Sequence, residues 1–118
     1  MLASTGEFRI HHLLEQLDIP FEEEVEFEDL IVGNGHHLRF DFVCYEDDGS
    51  IAAIIEFQGR QHYIPIPKFG GRKGLYRQQY CDTQKKQYCL KKGYKLICIP
   101  YTEENKITEQ YLMDKIYG

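Results

Sequence analysis

Two apolar runs, LRFDFVCY (38–45) and IAAIIEFQ (51–58), stand on either side of Asp47-Asp48-Gly49-Ser50. This arrangement limits the possible folds more than any other part of the chain. The runs are rich in β-branched and aromatic residues and the connector has turn composition, so together they predict an antiparallel hairpin. The second run is nearly all apolar until it ends in Glu56 and Gln58, followed at once by Gly59, Arg60, Gln61 and His62. A strand destined for a sheet interior thus finishes in dense polar chemistry.

A hairpin also dictates which side chains face each other. With a four-residue turn, Glu46 pairs with Ile51, and counting back places Asp41 opposite Glu56, their Cβ atoms ~5 Å apart. Gln58 points to the same face, because strand side chains alternate. At that spacing, with an effective dielectric near 20, two carboxylates repel by about 3 kcal/mol. A divalent cation between them reverses the sign. Oxygen ligands suit Mg²⁺ or Mn²⁺, and Mg²⁺ keeps several waters available for chemistry. The competing reading is that both acids face solvent and relax apart, or that a one-residue register slip separates them.

The rest of the chain supplies the frame. STGEFRIHHLLEQLDIP opens with a capping box, Ser4 and Glu7, and then places Ile10, Leu13, Leu14 and Leu17 at helical spacing up to Pro20. FEEEVEFEDLIV alternates, with Phe21, Glu23, Val25 and Phe27 on one face and glutamates on the other, which predicts a strand with one wet side. YIPIPKFGGRKG (63–74) reads as a long basic loop, LYRQQYCDTQKKQYCLKKGY (75–94) as a helix stopped by Gly93, YKLICIPY as a buried strand, and ENKITEQYLMDKI (104–116) as a last helix. The expected order is α-β-β-β-α-β-α. That is an α/β fold with a mixed sheet: an antiparallel meander, then a strand added in parallel after a helical crossover, with helices covering the sheet. At 118 residues the chain suits a single domain, 1–118.

With 42% hydrophobic and 28% charged residues the composition is globular. No apolar run approaches a membrane span and the start lacks a signal-peptide pattern, so no membrane partner is expected and the default address is intracellular. Cys44, Cys81, Cys89 and Cys98 form no CxxC pair and read as reduced buried thiols. The net charge of −5 argues, taken whole, against a nucleic-acid partner. Its distribution argues the other way. Between Arg60 and Lys95 the cations include Arg60, Lys68, Arg72, Lys73, Lys85 and Lys86, and Asp82 is the one acid. Such asymmetry builds a basic face on an acidic protein, or else two solvated surfaces of opposite sign.

Three further residues have two readings each. Glu7 serves the capping box, yet it lies at the end of the helix's inward stripe, where a third carboxylate can reach the sheet. His62 is a loop histidine that, beside a metal and a phosphate, can act as general acid or phosphate ligand. Asp82 either pairs with Lys86 one turn on or contributes to the site.

LRFDF…IIEFQGRQHY, followed by YCDTQKKQYCLKKGYKLICIPY, resembles the PD-(D/E)xK nuclease superfamily over nearly the whole chain. Within it the pattern is most similar to very-short-patch-repair endonucleases and related phage homing endonucleases. The resemblance places Glu7, Asp41, His62 and Asp82 at the family's helix Glu, strand Asp, post-strand His and helix Asp, and puts Glu56 and Gln58 at the D/E-x-K acid and lysine. It implies a restriction-endonuclease-like core and Mg²⁺- (or Mn²⁺-) dependent hydrolysis of DNA phosphodiesters. Asp41 and Glu56 would hold the metal with Glu7, while Gln58, His62 and Asp82 would complete the catalytic set. Arg60, Lys68, Arg72, Lys73, Lys85 and Lys86 would grip double-stranded DNA. It also implies a phage or bacterial host cell, a fused or separate DNA-recognition domain, and a homodimer as an open option. The departure is Gln58, because an amide cannot shuttle a proton at neutral pH. Two alternatives therefore stand beside the nuclease: a non-catalytic DNA-binding domain on the same fold, and a junction- or RNA-directed nuclease.

Overall fold

The computed structural model describes residues 4–118. Its elements run α1 (Thr5–Gln16), β1 (Phe21–Val32), β2 (His36–Tyr45), β3 (Ile51–Gln58), α2 (Gly71–Lys92), β4 (Leu96–Pro100) and α3 (Glu109–Tyr117), with short 3₁₀ turns at Arg60–His62, Pro67–Phe69 and Tyr101–Lys106. The four strands form one sheet in the order β1-β2-β3-β4. β1, β2 and β3 are antiparallel neighbours, and β4 joins β3 in parallel, so the mixed sheet and the α-β-β-β-α-β-α order are as expected.

Helices cover both faces of the sheet. On one face, Ile10 and Leu14 of α1 and Leu112 and Ile116 of α3 pack on Phe42, Cys44, Ile55, Phe57, Ile97 and Ile99. Each such side chain contributes about 1.5–3 kcal/mol by leaving water. On the other, Tyr88 and Cys89 of α2 pack with Phe40, Val43 and Ile54. β1 is an edge strand, and its alternation holds: Glu22, Glu24, Glu26 and Glu28 are exposed. Charge along an open edge discourages pairing with other chains.

β2 starts two residues early, at His36, β4 is trimmed to Leu96–Pro100, and three further boundaries shift for local reasons. The hairpin turn is one residue shorter: Glu46 N–H donates to Ser50 O at 2.8 Å, and Ile51 faces Tyr45 rather than Glu46. Gly49, at φ 88°, supplies the left-handed residue that a three-residue loop needs. A bulge at Ala52 then absorbs the offset, so Cys44↔Ala53, Val43↔Ile54 and Phe42↔Ile55 keep the register that carries Asp41 toward Glu56. α2 begins at Gly71, four residues early, because the Pro67–Phe69 turn folds the chain back and Gly74 N–H closes onto Gly70 O at 3.2 Å. α3 begins at Glu109, later than expected, because Thr108 caps it by accepting from Tyr111 N–H at 3.1 Å. Among the described residues, no helix is long and apolar enough to cross a membrane.

Candidate active site

The site lies where β2 and β3 part. Beyond Phe42↔Ile55 the ladder stops, and side chains take over its donors. Asp41 N–H donates to Glu56 Oε2 at 2.9 Å, and Phe57 N–H donates to Asp41 Oδ2 at 2.8 Å. Each carboxylate is thus held by a backbone N–H of the opposite strand. Glu56 (4% exposed) and Gln58 (7%) are the only buried polar side chains among the described residues. A sheet interior tolerates such groups only when they are bonded.

The third member comes from the facing helix. Lys85 Nζ donates to Glu56 Oε1 at 2.5 Å, with the lysine side chain 12% exposed and its ammonium 5.4 Å from the Phe40 ring centre. Sequence reasoning had placed Lys85 among the DNA-gripping cations. In the structure α2 packs on the sheet and turns that side chain inward, onto Glu56. Gln78, Asp82 and Lys85 recur at helical spacing and form one stripe aimed at the polar end of β3. Gln58, at the expected lysine position, instead accepts from Tyr63 Oη at 2.5 Å.

The same stripe orients the histidine. His62 Nδ1 lies 2.9 Å from Asp82 Oδ2, and Gln78 Nε2 donates to Asp82 Oδ1 at 3.2 Å. His62 and Asp82 are both largely buried. The partner of Asp82 is therefore His62, not Lys86.

Glu7 reaches the site from α1. Ser4 caps the helix by accepting from Glu7 N–H at 3.2 Å. Gly6 brings that end of α1 onto β3, since a Cβ there would meet the Phe57 ring at 2.3 Å. Glu7 is close enough that its charge acts on Asp41. Burial, the Glu56 carboxylate and Glu7 together push the Asp41 carboxyl up to about 8, against the opposing pull of Phe57 N–H and Lys85. Two acids that share one site cannot both ionise cheaply. Among the described residues, no three His, Cys, Asp or Glu side chains form a ready-made metal cluster. A hard divalent cation still fits the donor chemistry: two adjacent carboxylates, an Asp41 Oδ1 without a hydrogen-bond partner among the described residues, and a charge conflict that a cation relieves.

The basic residues Arg60, Lys68, Arg72, Lys73 and Lys86 are exposed, on the 3₁₀ turns and α2. All four cysteines are free thiols.

The chain is 44% identical over 70 residues to "Uncharacterized protein 094L" of Frog virus 3 (isolate Goorha), covering 58% of this chain and 43% of that protein. It is 33% identical over 85 residues to "Uncharacterized protein 307L" of Invertebrate iridescent virus 6, covering 71% and 41%. It is also similar to a Serratia proteamaculans (strain 568) protein named large ribosomal subunit protein bL21, 42% identical over 67 residues, covering 56% and 64%. The chain thus spans less than half the length of the two viral relatives. No protein-family model and no solved structure matches it.

Proposed function

We propose that this chain is the catalytic domain of a metal-dependent endonuclease that hydrolyses DNA phosphodiester bonds, of the PD-(D/E)xK kind and close to very-short-patch-repair and homing endonucleases. The observation that carries this reading is the part-buried Asp41–Glu56 pair with the Lys85 ammonium on Glu56. Three ionisable groups packed together at the end of a sheet interior are a cost to folding, and such costs are retained where chemistry needs them.

Asp41 and Glu56 would hold Mg²⁺ or Mn²⁺, with Glu7 beside them. The bound metal would polarise a phosphoryl oxygen and lower the pKa of a coordinated water. Lys85 keeps the Glu56 carboxylate fixed and brings positive charge to where negative charge grows on the phosphate. It supplies the cation that Gln58 lacks, which answers the main objection raised by the sequence. Gln58, held by Tyr63, orients its neighbours without a charge of its own. Asp82 binds His62 Nδ1, which places that proton and leaves Nε2 to exchange one with the leaving oxygen. The exposed cations Arg60, Lys68, Arg72, Lys73 and Lys86 grip the backbone. A DNA-recognition module would come from elsewhere in the polypeptide or from a partner.

The second reading, a non-catalytic DNA-binding domain, rests on Gln58. One assay separates them: plasmid DNA incubated with the protein in Mg²⁺, Mn²⁺ or chelator. The nuclease reading expects metal-dependent nicking or linearisation, reduced at least ~10³-fold in Asp41→Ala and Glu56→Ala, a loss typical of removing core catalytic groups. Cutting by either variant at the parent's rate overturns it. Salt-sensitive binding without cleavage supports the binding domain instead.

A further inference from the structure

Three depressions beside α2 adjoin one another through shared lining residues. The cleft beside Glu7, about 270 Å³, shares Gln61 and Phe69 with a depression of about 250 Å³ under the start of α2. That depression shares Arg77 and Cys81 with a larger groove of about 430 Å³, between α2 and the loop end of the β1–β2 hairpin. The series therefore runs from Glu7, past the Gln78 that braces Asp82, to a groove the proposed chemistry does not use.

The far groove has a definite chemical character. Val32 and Leu38 give it apolar surface, His36 and Arg77 bring ring and guanidinium nitrogens, and Tyr80 lines it beside His37, whose Nε2 is bonded to Glu28 O at 3.1 Å. No carboxylate lines it, although the protein as a whole is acidic. Tyr80 is 53% exposed, and Tyr76, one helical turn earlier, is also exposed. The exposed cations Arg72, Lys73 and Arg77 are interleaved with these rings. An apolar slot lined by an exposed tyrosine and a guanidinium suits a flat ring joined to an anionic group. A nucleotide has that form, with its base stacked on tyrosine and its phosphate on arginine. In a duplex the base faces are already stacked on their neighbours. Away from the duplex ends, an unpaired nucleotide is what offers a free one.

The geometry points to a subsite for an unpaired nucleotide of the bound DNA strand, away from the cleaved bond, with its base against Tyr80 and its phosphate at Arg77. This rests on the nuclease reading and adds a substrate preference to it: junctions between paired and single-stranded DNA over continuous duplex.

The test compares a blunt duplex with the same duplex bearing a single-stranded overhang. Binding is read by fluorescence anisotropy in chelator, and cleavage of both DNAs is read with Mg²⁺. The parent is expected to bind the overhang substrate about tenfold more tightly, within the range of one stacked base. Tyr80→Ala and Arg77→Ala should each lose that preference while binding the blunt duplex as before, and Tyr80→Phe should keep it. Both side chains are exposed, so the fold should be unaffected, and matched melting temperatures check this. Equal binding of the two DNAs by a parent that does cleave, or a preference retained in Tyr80→Ala, overturns the subsite and leaves the nuclease reading intact. A parent that neither binds nor cleaves DNA overturns both.

Discussion

The two faces of the sheet are built for different ends. The face under α1 and α3 is a continuous apolar core from Ile10 to Ile116. The face under α2 begins in the same way, with Val43, Ile54 and Cys89, but at the end of β3 it gives way to Glu56, Asp41 and Lys85. The same strands serve both faces, and successive side chains alternate between them. The comparison teaches that β3 is a platform: one side anchors it, so the other can hold charges that would not stay together unaided.

The largest expected difference between the faces is in activity. Lys85→Met keeps the bulk of the side chain and removes its ammonium. Single-turnover DNA cleavage should fall by about 10²–10⁴-fold, as for loss of a charge-stabilising or proton-handling group. Leu112→Ala, on the opposite face, should cost about 2–5 kcal/mol of stability in urea unfolding. Its folded fraction should cleave at the parent's rate. Parent-like cleavage by Lys85→Met would mean that the polar face is structural only.

The next effect concerns stability within the polar face. Glu56→Gln leaves the Lys85 ammonium without its carboxylate in a largely buried place. Breaking a buried ion pair from one side costs about 3–5 kcal/mol. Lys85 retains some contact with water, so a loss near the lower end, about 3 kcal/mol, is expected. Glu56→Gln combined with Lys85→Met should recover most of that stability and no activity. If the double variant is as unstable as Glu56→Gln alone, the ion pair is not what Glu56 contributes.

The division between faces was only partly legible in the sequence. Periodicity revealed the apolar face, because Ile10 and Leu14, and Leu112 and Ile116, show helical spacing and β3 is a single apolar run. The hairpin register that brings Asp41 beside Glu56 was also readable, although it survived by compensation: a shorter turn offset by a bulge at Ala52. Lys85 was not legible as a partner of Glu56. It stands 29 residues away in a helix crowded with lysines, and only packing decides which one turns inward. The same holds for Gln78 on Asp82, and for the role of Gly6 in seating Glu7 at the site. Charge counting along α2 cannot tell Lys86, exposed, from Lys85, paired.

The smallest effect has the clearest sign. The Asp41 carboxyl is raised from 3.8 to about 8 by burial and by the Glu56 and Glu7 carboxylates. Below the unfolded value both states hold the proton and Asp41 adds no pH dependence. Between the two values the folded state holds a proton that the unfolded state has released. Stability therefore falls as pH rises through this window, and the full loss is reached above the folded value. Asp41→Asn removes the titration, and its amide oxygen can still accept from Phe57 N–H. Water entry and small side-chain shifts in the partly exposed site relieve part of the repulsion once Asp41 ionises, so the gain should be modest: about 1–2 kcal/mol at the alkaline end and close to nothing at the acid end. Urea unfolding of parent and variant on either side of the window measures it. Saturating Mg²⁺ should stabilise the parent at the alkaline end and leave Asp41→Asn nearly unchanged, because a cation and a neutral amide relieve the same repulsion by different means. A variant whose advantage does not grow with pH would show that the two carboxylates are not in conflict. The polar face would then be no costlier to fold than the apolar one.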